Sequence, residues 1–162
     1  MTFEIADLTK GGARRTAESL EALGPARLAL LDGPVVVTLA TLRKRGSPLL
    51  SVIWCSRDEK HVYINSAKGR AKDRNLQARP DVSLMLMDPK DTFHWLAIEG
   101  RVVESVFEDD PKRGAEATRH IDDMTEVYLN TRPYPNRSPG EVRVKYKIEP
   151  ARILTFGPLS AG

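Results

Sequence analysis

The chain has 162 residues, 41% hydrophobic and 29% charged, with a net charge of +3, the size and balance of one globular domain around a single core. The cations are spread along the chain and mixed with acids, which argues against a nucleic-acid module. The single cysteine, Cys55, excludes an intrachain disulfide and a cysteine-based zinc cluster.

In chain order, residues 1–12 are polar and end in Gly11-Gly12, and read as a flexible leader. Residues 14–31 carry helical spacing (Ala17, Leu20, Leu23, Leu28, Leu31) interrupted by Gly24-Pro25, which predicts two short helices or one kinked one. Val35–Leu42 is a strand run, Arg43-Lys44-Arg45-Gly46 a hairpin turn, and Pro48–Ser56 a second strand. After the polar turn at 57–60 a third strand runs from His61 to Ser66. A helix from about Gly69 to Ala78 stops before Pro80, as expected ahead of a proline.

Val82–Met87 and roughly His94–Phe107 give two more strands. Asp109-Asp110-Pro111 is a helix start, and the helix extends to about Leu129. Residues 131–141 form a loop rich in proline, glycine and arginine. Val142–Ile148 alternates as a strand with one wet face, which Ile153–Phe156 extends. Residues 13–157 thus read as one domain with a short tail over 158–162. Short connections imply antiparallel neighbours, and a small barrel is favoured over an open sheet because closure removes exposed edges. The expected fold class is mainly β, with helices packed outside.

Residues 64–76 carry the strongest functional signal. A strand ends in a polar turn, and a helix starts with cations at Lys68, Arg70, Lys72 and Arg74. Unpaired N–H groups and the positive end of the helix dipole favour an anion there, phosphate above all. Cations at that end are the wrong sign unless they share an anion with it. One reading is a phosphate cradle with Ser66 as a hydroxyl donor, and the other is a solvated amphipathic helix. Neither the Walker pattern nor a dinucleotide fingerprint is present.

Trp54 is either a wall for a planar ligand or plain core, and Phe93 and Trp95 alternate onto one face as an aromatic wall or an interface patch. Arg132, Arg137 and Arg143 flank Tyr134-Pro135 and Pro139-Gly140, either in a proline-stiffened loop that holds arginines for a carboxylate or phosphate tail or in a flexible surface loop. His61, His94 and His120 have no metal-ligand spacing, and Cys55 reads as a buried, inert thiol. No nucleophile elbow or triad signature occurs, so no residue is assigned as catalytic. Such a chain either only binds or borrows its chemistry from a cofactor.

From about Val35 to Pro150 the chain resembles the flavin-binding split β-barrel group related to pyridoxamine 5'-phosphate oxidase. More narrowly, it resembles the actinobacterial branch that uses the deazaflavin coenzyme F-420. The likeness rests on Ala40-Thr41-Leu42 with Gly46-Ser47-Pro48, Ser51-Val52-Ile53-Trp54, and Asn65-Ser66-Ala67-Lys68-Gly69-Arg70-Ala71-Lys72 with Arg74-Asn75-Leu76. Arg79-Pro80-Asp81-Val82-Ser83-Leu84, Ile98-Glu99-Gly100-Arg101-Val102, Tyr134-Pro135, Pro139-Gly140-Glu141 and Arg143 complete it.

The resemblance implies a homodimer with two cofactor sites between protomers. It implies that Ser51, Val52, Ile53 and Trp54 line the deazaflavin ring, while Ser66, Lys68, Gly69, Arg70 and Lys72 bind the phosphate-bearing tail and Asn75 braces the turn. Phe93, Trp95, Arg137 and Arg143 would come from the partner chain or border the substrate pocket. Val52 and Asn136 depart from the family pattern, which often has proline and an aromatic residue there.

The implied activity is hydride transfer from coenzyme F-420 to an unsaturated or planar small molecule. The alternatives are an FMN-dependent oxidase or reductase and a non-catalytic flavin- or deazaflavin-binding protein. No apolar stretch reaches the ~20 residues of a membrane span, and a signal peptide's basic start and apolar block are missing, so the expected compartment is the cytoplasm.

Overall fold

The computed structural model describes residues 14–157; the expected leader and tail lie outside them. Strand β1 (Arg15–Ala17) is followed by a one-turn 3-10 segment and helix α1 (Pro25–Asp32). Strands β2 (Val37–Leu42), β3 (Pro48–Ile53), β4 (Cys55–Arg57) and β5 (Val62–Ala67) come next. Helix α2 (Ala71–Ala78) leads to β6 (Asp81–Met87) and β7 (Trp95–Phe107). Helix α3 (Ala115–Leu129) and the long β8 (Arg143–Phe156) complete the fold.

All pairings among these strands are antiparallel, in the order β3-β2-β6-β7-β8-β5-β4 with β1 against β8. The two ends of that order are consecutive in sequence: β3 ends at Ile53, β4 begins at Cys55, and only Trp54 lies between them. The sheet therefore curls into a barrel that its hydrogen bonds do not close. Chain continuity through Trp54 crosses the split. The interior is apolar, with Val37, Leu39, Leu84, Leu86, Leu96, Ile98, Tyr146, Ile148 and Ile153 fully buried.

Four expectations change. The second strand, expected unbroken over Pro48–Ser56, is divided at Trp54 into β3 and β4, which pair with different neighbours. Helical spacing over 14–31 overstates the helix: Arg15–Ala17 is extended and pairs with Ile153–Thr155. It covers the part of β8 beyond Ile148, where β5 stops, so a free strand edge is removed. The remainder is a 3-10 turn over Leu20–Ala22 and an α-helix from Pro25, which occupies the first helical position.

The helix expected at Asp109-Asp110-Pro111 begins later, at Ala115. The Asp110 carboxylate accepts the backbone N–H groups of Lys112 at 2.8 Å and Arg113 at 2.9 Å, which ties a turn ahead of the helix. The last strand also runs unbroken through Pro150, opposite Gly100 at a register shift, a place where a sheet tolerates proline. A Cβ on Gly100 would lie 2.6 Å from the Glu149 carbonyl oxygen, so the crossing of β7 and β8 demands glycine there.

Helix α3 buries Ala117, His120, Ile121, Met124 and Thr125, the i, i+3, i+4, i+7, i+8 stripe of an amphipathic helix. It packs on the outer face of β5 and β8. Helix α2 is tied to the barrel wall by Leu76 in the core and by the Asn75 amide, which donates to the Thr41 hydroxyl at 3.0 Å.

Candidate functional site

Where the barrel is split, Trp54 projects toward α3 and stacks on Tyr128 with ring centroids 4.9 Å apart; the Tyr134 ring meets it edge-on at 6.1 Å. The Tyr128 hydroxyl is occupied, donating to the Val35 carbonyl at 2.9 Å and accepting from the Cys55 N–H at 3.3 Å. A cavity of about 150 Å³ opens beside this stack. Its walls are Val52, Ile53 and Trp54 from the split, Ile121 and Met124 from α3, and Tyr134. Its polar side is Asn65, Arg70, Lys72 and Arg143.

The polar side follows from local sequence. Gly69 takes φ +79, a left-handed conformation that other residues reach only at a cost. Its N–H is held at 2.6 Å by the carboxylate of Asp73, the third residue of α2, where an acid also suits the dipole. Buried Asp73 accepts the Tyr146 hydroxyl at 2.6 Å as well. The turn is thus pinned from beneath, and Arg70 and Lys72 emerge on the cleft side.

Arg143 arrives from β8 and is 3% exposed. Its Nε donates to the Asn65 carbonyl oxygen at 2.9 Å and its Nη1 to Glu141 at 2.7 Å, with the guanidinium 5.1 Å from the Tyr134 ring. Glu141 also receives Arg70 at 2.8 Å. Lys72 has no ion-pair partner among the described residues. Its pKa is pushed down by burial, and further by Arg70 and Arg143. Arg70 and Arg143 thus share one carboxylate and Lys72 has none, so the cluster holds two positive charges in excess beside an aromatic wall.

Of the expected cofactor residues, Val52, Ile53, Trp54, Arg70 and Lys72 line this cavity together. Lys68 is turned away, paired with Asp109 at 2.7 Å and lying over the Phe107 ring. Gly69 shapes the turn and Asn75 braces the helix against β2. Ser51 shares the core-side face of β3 with Ile53, one step out of phase with Val52.

Ser66 is placed differently from the cradle reading. It is opposite Val144 in the β5–β8 ladder, its hydroxyl is buried without a partner, and the cleft face belongs to its neighbour Asn65. Sequence reasoning gave Asn65 no role, although period-two alternation along β5 was the available signal. Tyr134 and α3 were likewise missed as walls.

Arg143 joins the cleft within the same chain. Arg137 is instead engaged by Glu108, and Arg132 by Asp123 and Glu126. Phe93 and Trp95 pack on Phe156 at the opposite end of β7, twelve residues or roughly 40 Å along the strand from Phe107. Within one chain they do not border the cleft. Cys55 is buried, and burial pushes its thiol up to about 12.

A family profile described as pyridoxamine 5'-phosphate oxidase matches residues 23–154. The chain belongs to that family. Its members share the flavin-binding split barrel, and the family fold recurs in solved structures similar to this chain. One is an F-420 reductase, 24% identical, covering 81% of this chain and 98% of that one at a TM-score of 0.68. Another is a conserved hypothetical protein from Mycobacterium tuberculosis, 21% identical over 90% and 95% of the two chains at 0.61. A third is an FAD-binding protein from Mesorhizobium loti, 18% identical over 90% and 97% at 0.55. At these identities the likeness is one of fold. No curated protein matches the chain in sequence. No helix among the described residues is long and apolar enough to cross a membrane.

Proposed function

We propose that the cleft between the barrel split, α2 and α3 binds the phosphate-bearing tail of a flavin-type cofactor, and that the protein is an oxidoreductase using coenzyme F-420. The observation that carries this reading is the cluster of Arg70, Lys72 and Arg143 against Trp54, which the single carboxylate of Glu141 only partly compensates. Two excess positive charges at a helix N-terminus are stabilised by an anion, and an indole wall suits a flat ring beside it. The cofactor, when bound, supplies hydride transfer. Arg70, Lys72 and Arg143 hold its tail through charge-assisted hydrogen bonds, Val52, Ile53 and Trp54 orient its ring, and Tyr134 with Ile121 and Met124 exclude water from one side.

A homodimer is part of the same proposal. Leu50 is 67% and Val52 71% exposed on the outer face of β3. Met87, on the same outward side at the end of β6, and Phe93, in the turn that joins β6 to β7, are also exposed. A second copy seated there would bury this face and carry its own Phe93 and Trp95 toward the first chain's split. The assignment to F-420 draws on the fold shared with an F-420 reductase, and membership of the oxidase family makes FMN the second reading.

Fluorescence titration of the protein with coenzyme F-420 and with FMN separates the two. The double variant Arg70→Ala/Lys72→Ala should weaken the cofactor that binds by several kcal/mol, at roughly 1.5–3 per charge-assisted bond. Undiminished affinity refutes the cradle. Light scattering at twice the chain mass is expected for the dimer.

A further inference from the structure

The cleft's anion-facing arginine is held by a side-chain chain that reaches out of the cleft altogether. Arg143 Nε can only donate, so the amide of Asn65 must turn its oxygen to it, at 2.9 Å. The backbone carbonyl of Ala117 can only accept, so the amide nitrogen faces α3, at 3.0 Å. The orientation of Asn65 is therefore determined from both sides. Its second N–H is directed at Nδ1 of His120, 3.3 Å away. Nδ1 must then be the acceptor, and the ring proton sits on Nε2, 2.9 Å from the Ser56 hydroxyl oxygen.

This tautomer has two consequences. With a proton on Nε2, the ring cannot take the Ser56 proton, so Ser56 and His120 are not a nucleophile–base pair. A proton added to Nδ1 would instead meet the amide N–H of Asn65 head-on.

We propose that His120 is a positioning residue for the cleft: the Nδ1 lone pair of its neutral ring locks the Asn65 amide, and Asn65 fixes the direction in which Arg143 presents its guanidinium to a bound anion. Among the described residues no hydrogen bond engages Arg143 Nη2, so its N–H groups and the second N–H of Nη1 are left for that anion once Nε–H and one Nη1–H are used. The surroundings keep the ring neutral. His120 is 8% exposed; Lys145 and Arg143 from β8 oppose its charging, Asp123 on its own helix favours it, and the Tyr63 ring stands edge-on at 6.2 Å. Burial is the dominant influence and lowers its pKa to about 4. The inference rests on reading the cleft as an anion site.

Two pairs of probes test it by fluorescence titration: coenzyme F-420 against its tail-less deazaflavin–ribitol, and FMN against riboflavin. In the pair that wild type binds, His120→Ala and His120→Gln should lose about tenfold for the phosphate-bearing member. The tail-less member should bind as before. His120→Asn, whose carbonyl oxygen can stand in for Nδ1, should recover most of the loss. Equal loss for both members, no loss in His120→Ala, or a His120→Asn no better than His120→Gln overturns the proposal.

Long-range nitrogen–proton NMR on the wild type at pH 7 should find the proton on Nε2, and a proton on Nδ1 refutes the chain independently of any variant. Failure of the underlying reading has its own signature: Arg70→Ala/Lys72→Ala still distinguishing the tailed probe as wild type does, or wild type binding neither pair. Either result removes the anion site and this inference with it.

Discussion

Replacing Asp73 by asparagine perturbs the turn that carries the cations without changing side-chain size. Asp73 is 4% exposed and receives two donors at 2.6 Å each, the Gly69 N–H and the hydroxyl of fully buried Tyr146. An asparagine has one oxygen for these two donors and presents an NH₂ group to the other. A hydrogen bond to a charged acceptor contributes roughly 1.5–3 kcal/mol, and an orphaned buried donor costs about 1–3. The expected loss is about 3 kcal/mol, or about 6–12 °C in melting temperature for a domain of this size.

Urea denaturation of Asp73→Asn, Tyr146→Phe and the double variant measures the loss and its origin. A coupling energy of about 1 kcal/mol or more between the two sites is expected for partners in direct contact. The same asparagine should weaken binding of a phosphate-bearing cofactor, since Gly69 loses the acceptor that sets the turn. An Asp73→Asn protein within about 0.5 kcal/mol of wild type would refute the claim that this carboxylate holds the turn.

The buried histidine gives a pH dependence of definite sign. The folded-state pKa of His120 is about 4, below the ~6.5 of a free histidine. The unfolded chain therefore takes the proton first, and stability is full above about pH 6.5 and falls as pH drops toward 4. Between pH 7 and pH 5 the wild type should lose about 2 kcal/mol more than His120→Asn, and parallel stability curves would contradict the burial argument. Gly100→Ala should cost about 2 kcal/mol or more, because its Cβ meets a backbone oxygen rather than a yielding side chain; a variant as stable as wild type in denaturant argues against the tight β7–β8 crossing. Cys55 should react with Ellman's reagent only at the rate of unfolding, given its burial and raised pKa, and prompt modification of the native protein would show an open path to it.

Much of the barrel was legible because its signals are local. Strand alternation, hairpin turns and the helix stop before Pro80 all act within a few residues, and the cations of 64–76 announced themselves by standing at the wrong end of a helix. What could not be read depends on partners distant in sequence. Arg15–Ala17 is a strand only because β8 outruns β5, and Arg137 is engaged by Glu108, 29 positions away. Alternation along β5 puts Ser66 and Asn65 on opposite faces, and which of the two faces the cleft depends on how β5 sits against β8 and α3. His120 shares the α3 stripe with Ala117, Ile121 and Met124, so its burial was present in the periodicity. Its link to Arg143 required the fold.

Trp54 has one more role, that of keeping count. Ile53 and Cys55 both point inward, so the single residue between β3 and β4 preserves the in–out phase while the chain changes hydrogen-bonding partner from β2 to β5. One residue more or fewer at this point would invert the phase of everything after it up to the next turn. Cys55 would swing out, Ser56 would turn into the core, and His120 would lose its neighbour. Deletions or insertions at position 54 should therefore be far more damaging than any substitution of its indole, because what the chain needs there first is a residue, and only second a tryptophan.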